Sequence, residues 1–160
     1  MNRVLGVATA LVAMLVLVRA APADPIEELS GFWSGSGSVV LTNGKTERVK
    51  CQVFYKTGDG GSIRQSMRCA SVDYSINSLA ELKVKGGQVT GSWEEKTYAA
   101  KGVVSGRFSG EAFALTIQGG NFSAAMNVTI TNCKQSINIS PQGLEVTRVA
   151  IALAKERCGG

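Results

Sequence analysis

Residue types that commonly perform catalysis are few in this sequence, and their spacing is unfavourable. The 160-residue chain contains no histidine, which excludes His-based triads and His-ligated zinc or haem. Glu94 and Glu95 are adjacent, so on a strand they would point to opposite faces and could not flank one glycosidic bond. Ser36 lies in no G-x-S-x-G motif, and no S-x-x-K pair occurs. We therefore predict no catalytic residues and a protein that is not an enzyme.

Metal and cofactor sites are not indicated either. The segment Gly58-Asp59-Gly60-Gly61 lacks the spaced acidic residues of a calcium loop and the helix that follows a phosphate loop. None of the four cysteines has the C-x-x-C spacing of zinc or redox motifs. We interpret the segment as a hairpin turn and predict neither a metal nor a cofactor.

The N-terminal residues have the pattern of a secretory signal. A short basic start is followed by an uncharged apolar run from Val4 to Val18, and Ala21-Pro22-Ala23 fits the small-x-small cleavage rule. A membrane anchor is the alternative, but a spanning helix needs about 20 apolar residues. We predict a signal peptide over residues 1–23, one domain over 24–160, and a periplasmic or secreted protein with no transmembrane segment after cleavage.

The charge of the predicted mature chain is mild. Residues 24–160 contain 15 Lys and Arg against 12 Asp and Glu, a net charge of +3. The basic residues are scattered among acidic residues and serines, which indicates solvated strand faces and no nucleic-acid partner.

The remaining chain reads as consecutive antiparallel strands. Gly, Asn and Asp interrupt it every 8–14 residues, and period-2 apolar patterns lie between them. After one helical turn at Ile26 to Leu29, we predict nine or ten strands. The third strand is predicted from Ser62 to Ile76. The last is predicted from Leu144 to Lys155, with a bulge near Thr147-Arg148 to reconcile its two apolar phases. An amphipathic helix is the alternative for that last segment.

The cysteines fit this arrangement as two disulfides. An even number in an exported chain favours disulfide bonds, with four buried free thiols as the alternative. With the hairpin turn centred near Asp59-Gly60, Cys51 lies opposite residue 68 or 69, which predicts a Cys51–Cys69 bridge across the two strands. Cys133–Cys158 then follows by elimination.

The start of the first strand carries a family resemblance. The run from Leu29 to Gly37, with Gly31-Phe32-Trp33 at its centre, resembles the opening of calycin-type barrels: lipocalins, avidins and the nitrobindin-like group. The resemblance implies an all-β fold, a single antiparallel up-and-down barrel of about 8–10 strands. It also implies that Trp33 closes one barrel end under a basic side chain from the last strand, for which Arg148 is our choice and Lys155 and Arg157 are alternatives. Nitrobindin-like proteins bind haem through a histidine, which this chain lacks.

Candidate ligand contacts are aromatic. We predict that Trp93, Tyr55 and Tyr98 contribute to a cavity mouth; ordinary core or rim packing is the alternative. The leading functional hypothesis is an exported barrel that binds a small apolar ligand. The alternatives are an inhibitor or interaction protein that acts on a secreted or periplasmic hydrolase, and a ligand-free envelope or stress protein. A filled barrel would favour the alternatives.

Overall fold

Ten antiparallel strands make up almost all of the structure, a computed structural model that describes residues 24–158. One 3-10 turn, Glu27–Leu29, precedes the first strand, and a second, Asp59–Gly61, lies between the second and third. The strands are β1 Gly31–Leu41, β2 Thr46–Gly58, β3 Ser62–Ala70, β4 Ser75–Lys85, β5 Gln88–Glu95, β6 Ala100–Phe108, β7 Ala112–Gly119, β8 Phe122–Thr131, β9 Lys134–Gln142 and β10 Val146–Lys155. The predicted signal peptide lies outside the described residues.

The sheet closes on itself. Each strand pairs with the next in sequence, and β1 pairs with β10 to complete the ring. Closure leaves no unpaired strand edge. The prediction of a single up-and-down barrel is confirmed, and the strand count is ten.

The last strand and the end of the third strand test how well the sequence pattern located the strand boundaries. The last segment is a strand, as predicted, although it begins at Val146 rather than Leu144. Its pairing with β1 shifts between Val40 and Leu41, which leaves Thr147 as the bulged residue. The predicted third strand was too long, because β3 ends at Ala70. The Ser71 hydroxyl accepts hydrogen bonds from the backbone of Asp73 and Tyr74, and this local turn competes with strand pairing.

Period-2 alternation divides the barrel into an apolar interior and a polar exterior. On β2, for example, Val49, Cys51, Val53 and Tyr55 are buried, and the residues between them are exposed. The interior therefore receives one row of side chains from every strand, as expected for a small closed barrel.

Glycines at inward positions allow the strands to bend. A side chain at Gly35 would overlap the backbone of Ala152 on β10, and one at Gly102 would overlap the carbonyl oxygen of Gln118 on β7. Such close approach between strands requires residues without a Cβ.

Both predicted disulfides are present. Cys51 and Cys69 are direct partners in the β2–β3 register, and their bond lies in the core. The Cys133–Cys158 bond ties the segment after β10 to the β8–β9 turn. Two disulfides suggest an oxidising, exported environment. Among residues 24–158, no helix has the length and apolar character needed to span a membrane.

One end of the barrel is closed by a plug built around Trp33. The Trp33 indole is 1% exposed and donates a hydrogen bond of 2.8 Å to the Leu29 carbonyl. The Lys155 ammonium lies 5.7 Å from the centroid of the indole and donates to the Glu28 carbonyl. A cation over an indole face is stabilising by about 0.5–2 kcal/mol. Strand β10 therefore holds the 3-10 turn against the barrel end.

The covering cation is Lys155, one of the three candidates, rather than our choice, Arg148. Lys155 is the register partner of Trp33, whereas Arg148 pairs with Val40 near the opposite end of β10 and is exposed. The register, which sequence periodicity does not give for strands so distant in the chain, decides between the basic residues.

Candidate functional site

A cavity of about 280 Å³ occupies the barrel interior. It extends from Leu29 at the plug to Leu144 in the β9–β10 loop, and nearly every strand contributes to its wall. The volume lies near the lower end of the about 300–1,000 Å³ typical of ligand pockets. The wall is almost entirely aliphatic and aromatic, so the cavity suits a small apolar molecule.

The cavity opens at the end opposite the plug, which we call the mouth. Because the strands alternate in direction, the loops at 42–45, 71–74, 96–99, 120–121 and 143–145 all lie at this end. Leu144 both lines the cavity and is 45% exposed. The cavity therefore reaches the surface there.

The structure places two of the three predicted aromatic contacts in the wall. Tyr55 and Trp93 line the cavity, from β2 and β5. Tyr98 lies in the β5–β6 loop at the mouth, is 64% exposed and is not part of the wall. Its side chain follows Glu95 by three residues, beyond the end of β5, so strand alternation no longer directs it inward.

Trp93 packs at the mouth half of the cavity. Its ring meets Phe122 edge-on with 5.4 Å between centroids. The indole Nε1 is buried and has no hydrogen-bond partner in the described structure. This N–H is therefore available to an acceptor on a ligand. Such a hydrogen bond would be favourable, because a buried unpaired donor is costly.

A buried polar pair interrupts the apolar wall near the plug. The Gln135 amide nitrogen donates to the Tyr55 hydroxyl at 3.0 Å, across from β9 to β2. Burial raises the pKa of Tyr55 to about 12, against the lowering effect of hydrogen bonds with Gln135 and Gln65. The hydroxyl is therefore neutral at physiological pH. Gln135 stands in an otherwise apolar inward row with Ile137 and Ile139, a signal that the sequence analysis missed.

We expect the Tyr55→Phe variant to lose about 1–3 kcal/mol of folding free energy, because Gln135 would be buried without its partner. Adding Gln135→Leu should recover much of this loss, since both polar groups are then absent. Denaturant unfolding of the two single variants and the double variant measures the coupling. Additive losses would show that the two side chains do not stabilise one another.

Glu95 fixes the mouth loop that follows β5. Its carboxylate accepts hydrogen bonds from the backbone N–H groups of Asn77, Thr97 and Tyr98 at 2.8, 3.0 and 2.6 Å. Burial is the largest single influence and raises the pKa of Glu95, but the backbone hydrogen bonds together outweigh it and hold the pKa below 4.5. The ionised carboxylate therefore joins β4 to the β5–β6 loop.

Because the folded-state pKa of Glu95 is lowered, its stabilisation is present at neutral pH and is lost as the pH falls through that pKa. We expect Glu95→Gln to be less stable than the parent at pH 7 and to converge with it in acid, below pH 4.5. Thermal melts from pH 7 to pH 3 measure this. The exposed neighbour Glu94, whose ion-pair partner is Lys96 at 3.7 Å, gives a matched control as Glu94→Gln. A pH-independent gap would contradict the assignment.

The fold and cavity together define a class: closed, ten-stranded up-and-down β-barrels with an internal apolar cavity. No family model and no curated protein matches the chain. Several solved structures do match the chain. Rv2717c from M. tuberculosis is similar with a TM-score of 0.66 and 13% identity, over 84% of this chain and 99% of that one.

Two further structures are similar. The S-type phycobiliprotein lyase CPES from Guillardia theta has a TM-score of 0.63 and 12% identity, over 84% of this chain and 92% of that one. The redesigned β-barrel mFAP1, bound to DFHBI, has a TM-score of 0.51 and 11% identity, over 83% and 100%. At these identities the likeness shows the fold alone, and it agrees with the calycin resemblance at Gly31-Phe32-Trp33.

Proposed function

We propose that this chain is an exported binding protein that holds a small, neutral, apolar ligand in its barrel. The observation that carries the proposal is the open 280 Å³ cavity with its apolar wall. A barrel that is not filled by its own side chains supports ligand binding over the inhibitor and ligand-free alternatives. The two disulfides and the signal-like N-terminal pattern support a periplasmic or secreted location.

The charge of the wall supports a neutral ligand. Among the described residues, Glu95 is the one charged residue that lines the cavity, and its carboxylate already accepts three backbone hydrogen bonds. No Lys or Arg of the described chain lines the cavity. An anionic ligand would be desolvated there without a cationic partner, which is strongly unfavourable. Trp93 Nε1 supports a ligand that carries one hydrogen-bond acceptor. No base and nucleophile are paired in this site, which supports binding rather than catalysis.

A pair of fluorescent probes tests the proposal. N-phenyl-1-naphthylamine is neutral, and 1-anilinonaphthalene-8-sulfonate has the same ring system with an added anion. We expect the neutral probe to bind one saturable site at least about tenfold more tightly, which corresponds to 1.4 kcal/mol or more.

Two neighbouring alanines provide the matched control. Ala124 is 4% exposed and lines the cavity, whereas Ala125 is exposed on the outside of β8. Ala124→Phe should fill the site and abolish binding of the neutral probe, and Ala125→Phe should leave it unchanged. Absence of saturable binding by the parent, or equal binding by the folded Ala124→Phe variant, would overturn the proposal.

A further inference from the structure

The outer face of β2, β3 and β4 gathers basic residues that are scattered in the sequence. Register pairs place Lys56 opposite Arg64, and Arg64 opposite Glu81. Along these three strands the outward positions carry seven exposed basic side chains: Arg48, Lys50, Lys56, Arg64, Arg68, Lys83 and Lys85. We call this surface the basic face.

The basic face concentrates the charge of the molecule. Its seven cations stand with one acid, Glu81, so it carries a net charge of +6. Since residues 24–158 total +3, the rest of the described chain carries −3. Arg64 is paired with Glu81 at 2.8 Å, and the other six cations have no ion-pair partner among the described residues. The molecule is thus strongly polarised, with one side ready to meet an anionic surface.

Two exposed phenylalanines border the basic face. Phe32 on β1 and Phe54 on β2 are register partners, 58% and 38% exposed, and their ring centroids are 4.6 Å apart. A shallow groove beside them includes Arg68 from the basic face and also the acidic Glu156. The interior already has its own aromatic residues, so this external pair is not needed to fill the core.

We propose that the basic face docks on an anionic lipid surface, with Phe32 and Phe54 entering the headgroup region. The cations are spread over three strands and do not converge on one point, which suits mobile lipid headgroups better than a fixed pattern of acidic side chains. Basic residues supply the long-range attraction to anionic lipids, and the aromatic rings at the border of the basic face bury apolar area at the interface. This proposal is independent of what the cavity binds.

Sedimentation with vesicles tests the proposal on the full mature chain. Vesicles of phosphatidylglycerol and phosphatidylcholine should bind the protein, and pure phosphatidylcholine vesicles should not. Replacing one basic residue of the basic face should weaken vesicle binding about fivefold. The double variant Lys50→Glu/Arg68→Glu should weaken it by well over tenfold. Lys101→Glu/Arg107→Glu makes the same charge change on the outside of β6 and should have a much smaller effect.

The phenylalanines have their own control. Phe54→Ser should weaken vesicle binding, whereas Val103→Ser, at a 55% exposed apolar position on β6, should not. Circular dichroism melts confirm that each variant is folded. Failure to bind anionic vesicles, or equal losses for the two charge variants, would overturn the proposal. Binding to soluble polyglutamate but not to vesicles would also overturn it and assign the face to an acidic protein instead.

Discussion

Replacing Trp33 with alanine is expected to lower the free energy of unfolding by about 3–5 kcal/mol, a large part of the total for a small domain. The side chain is 1% exposed and is the largest in the fully buried core. Its loss leaves a void at the plug, removes the hydrogen bond to the Leu29 carbonyl and leaves the Lys155 ammonium without its aromatic face. The 3-10 turn then has less to pack against, so the closed end of the barrel should loosen first.

The adjacent Phe32 provides the matched control, because it is 58% exposed on the outside of the same strand. The free energies of unfolding of Trp33→Ala and Phe32→Ala, measured with denaturant, should therefore differ widely. Phe32→Ala should stay close to the parent. Probe binding by Trp33→Ala should fall only in proportion to the unfolded fraction. A Trp33→Ala protein as stable as the parent would refute the role of the G-x-W motif as a structural plug.

Gly102→Ala should be the second severe substitution. Gly102 faces inward on β6, and an added Cβ would overlap the Gln118 carbonyl oxygen on the neighbouring strand. A backbone group cannot rotate away as a side chain can, so the strands must separate. We expect a cost at or above the upper end of the about 1–3 kcal/mol typical of overpacking.

Gly120 is the control for Gly102. It lies in the β7–β8 turn, and no atom lies within 4 Å of an added Cβ. Gly120→Ala should leave the melting temperature nearly unchanged, and Gly102→Ala should lower it sharply. Equal melting temperatures would show that the inward glycine is not needed for the close approach of β6 and β7.

The fold was predictable because period-2 patterns and turn residues act over short distances. Alternation on β2 and β3, with the turn between them, was enough to pair Cys51 with Cys69. The break between β3 and β4 was placed too late in the chain, because its position depends on hydrogen bonds of the Ser71 hydroxyl rather than on glycine or proline.

The site was less predictable because it depends on register around the closed ring. Which basic residue covers Trp33 is set by the pairing of β1 with β10, whose strands are far apart in the chain. The same holds for Tyr55 and Gln135, which are 80 residues apart. The basic face shows no charge run in the sequence, since strands β2, β3 and β4 each contribute only two or three of its cations.

Native mass spectrometry of the protein purified from its own host shows whether the barrel carries a ligand. We expect a bound neutral molecule, seen as a mass above that of the disulfide-bonded chain and released on collisional activation. The Ala124→Phe variant, prepared in parallel, should carry no such mass, and Ala125→Phe should retain it. A parent protein with the mass of the chain alone, which also takes up no neutral apolar probe, would show that the barrel is not a ligand-binding site.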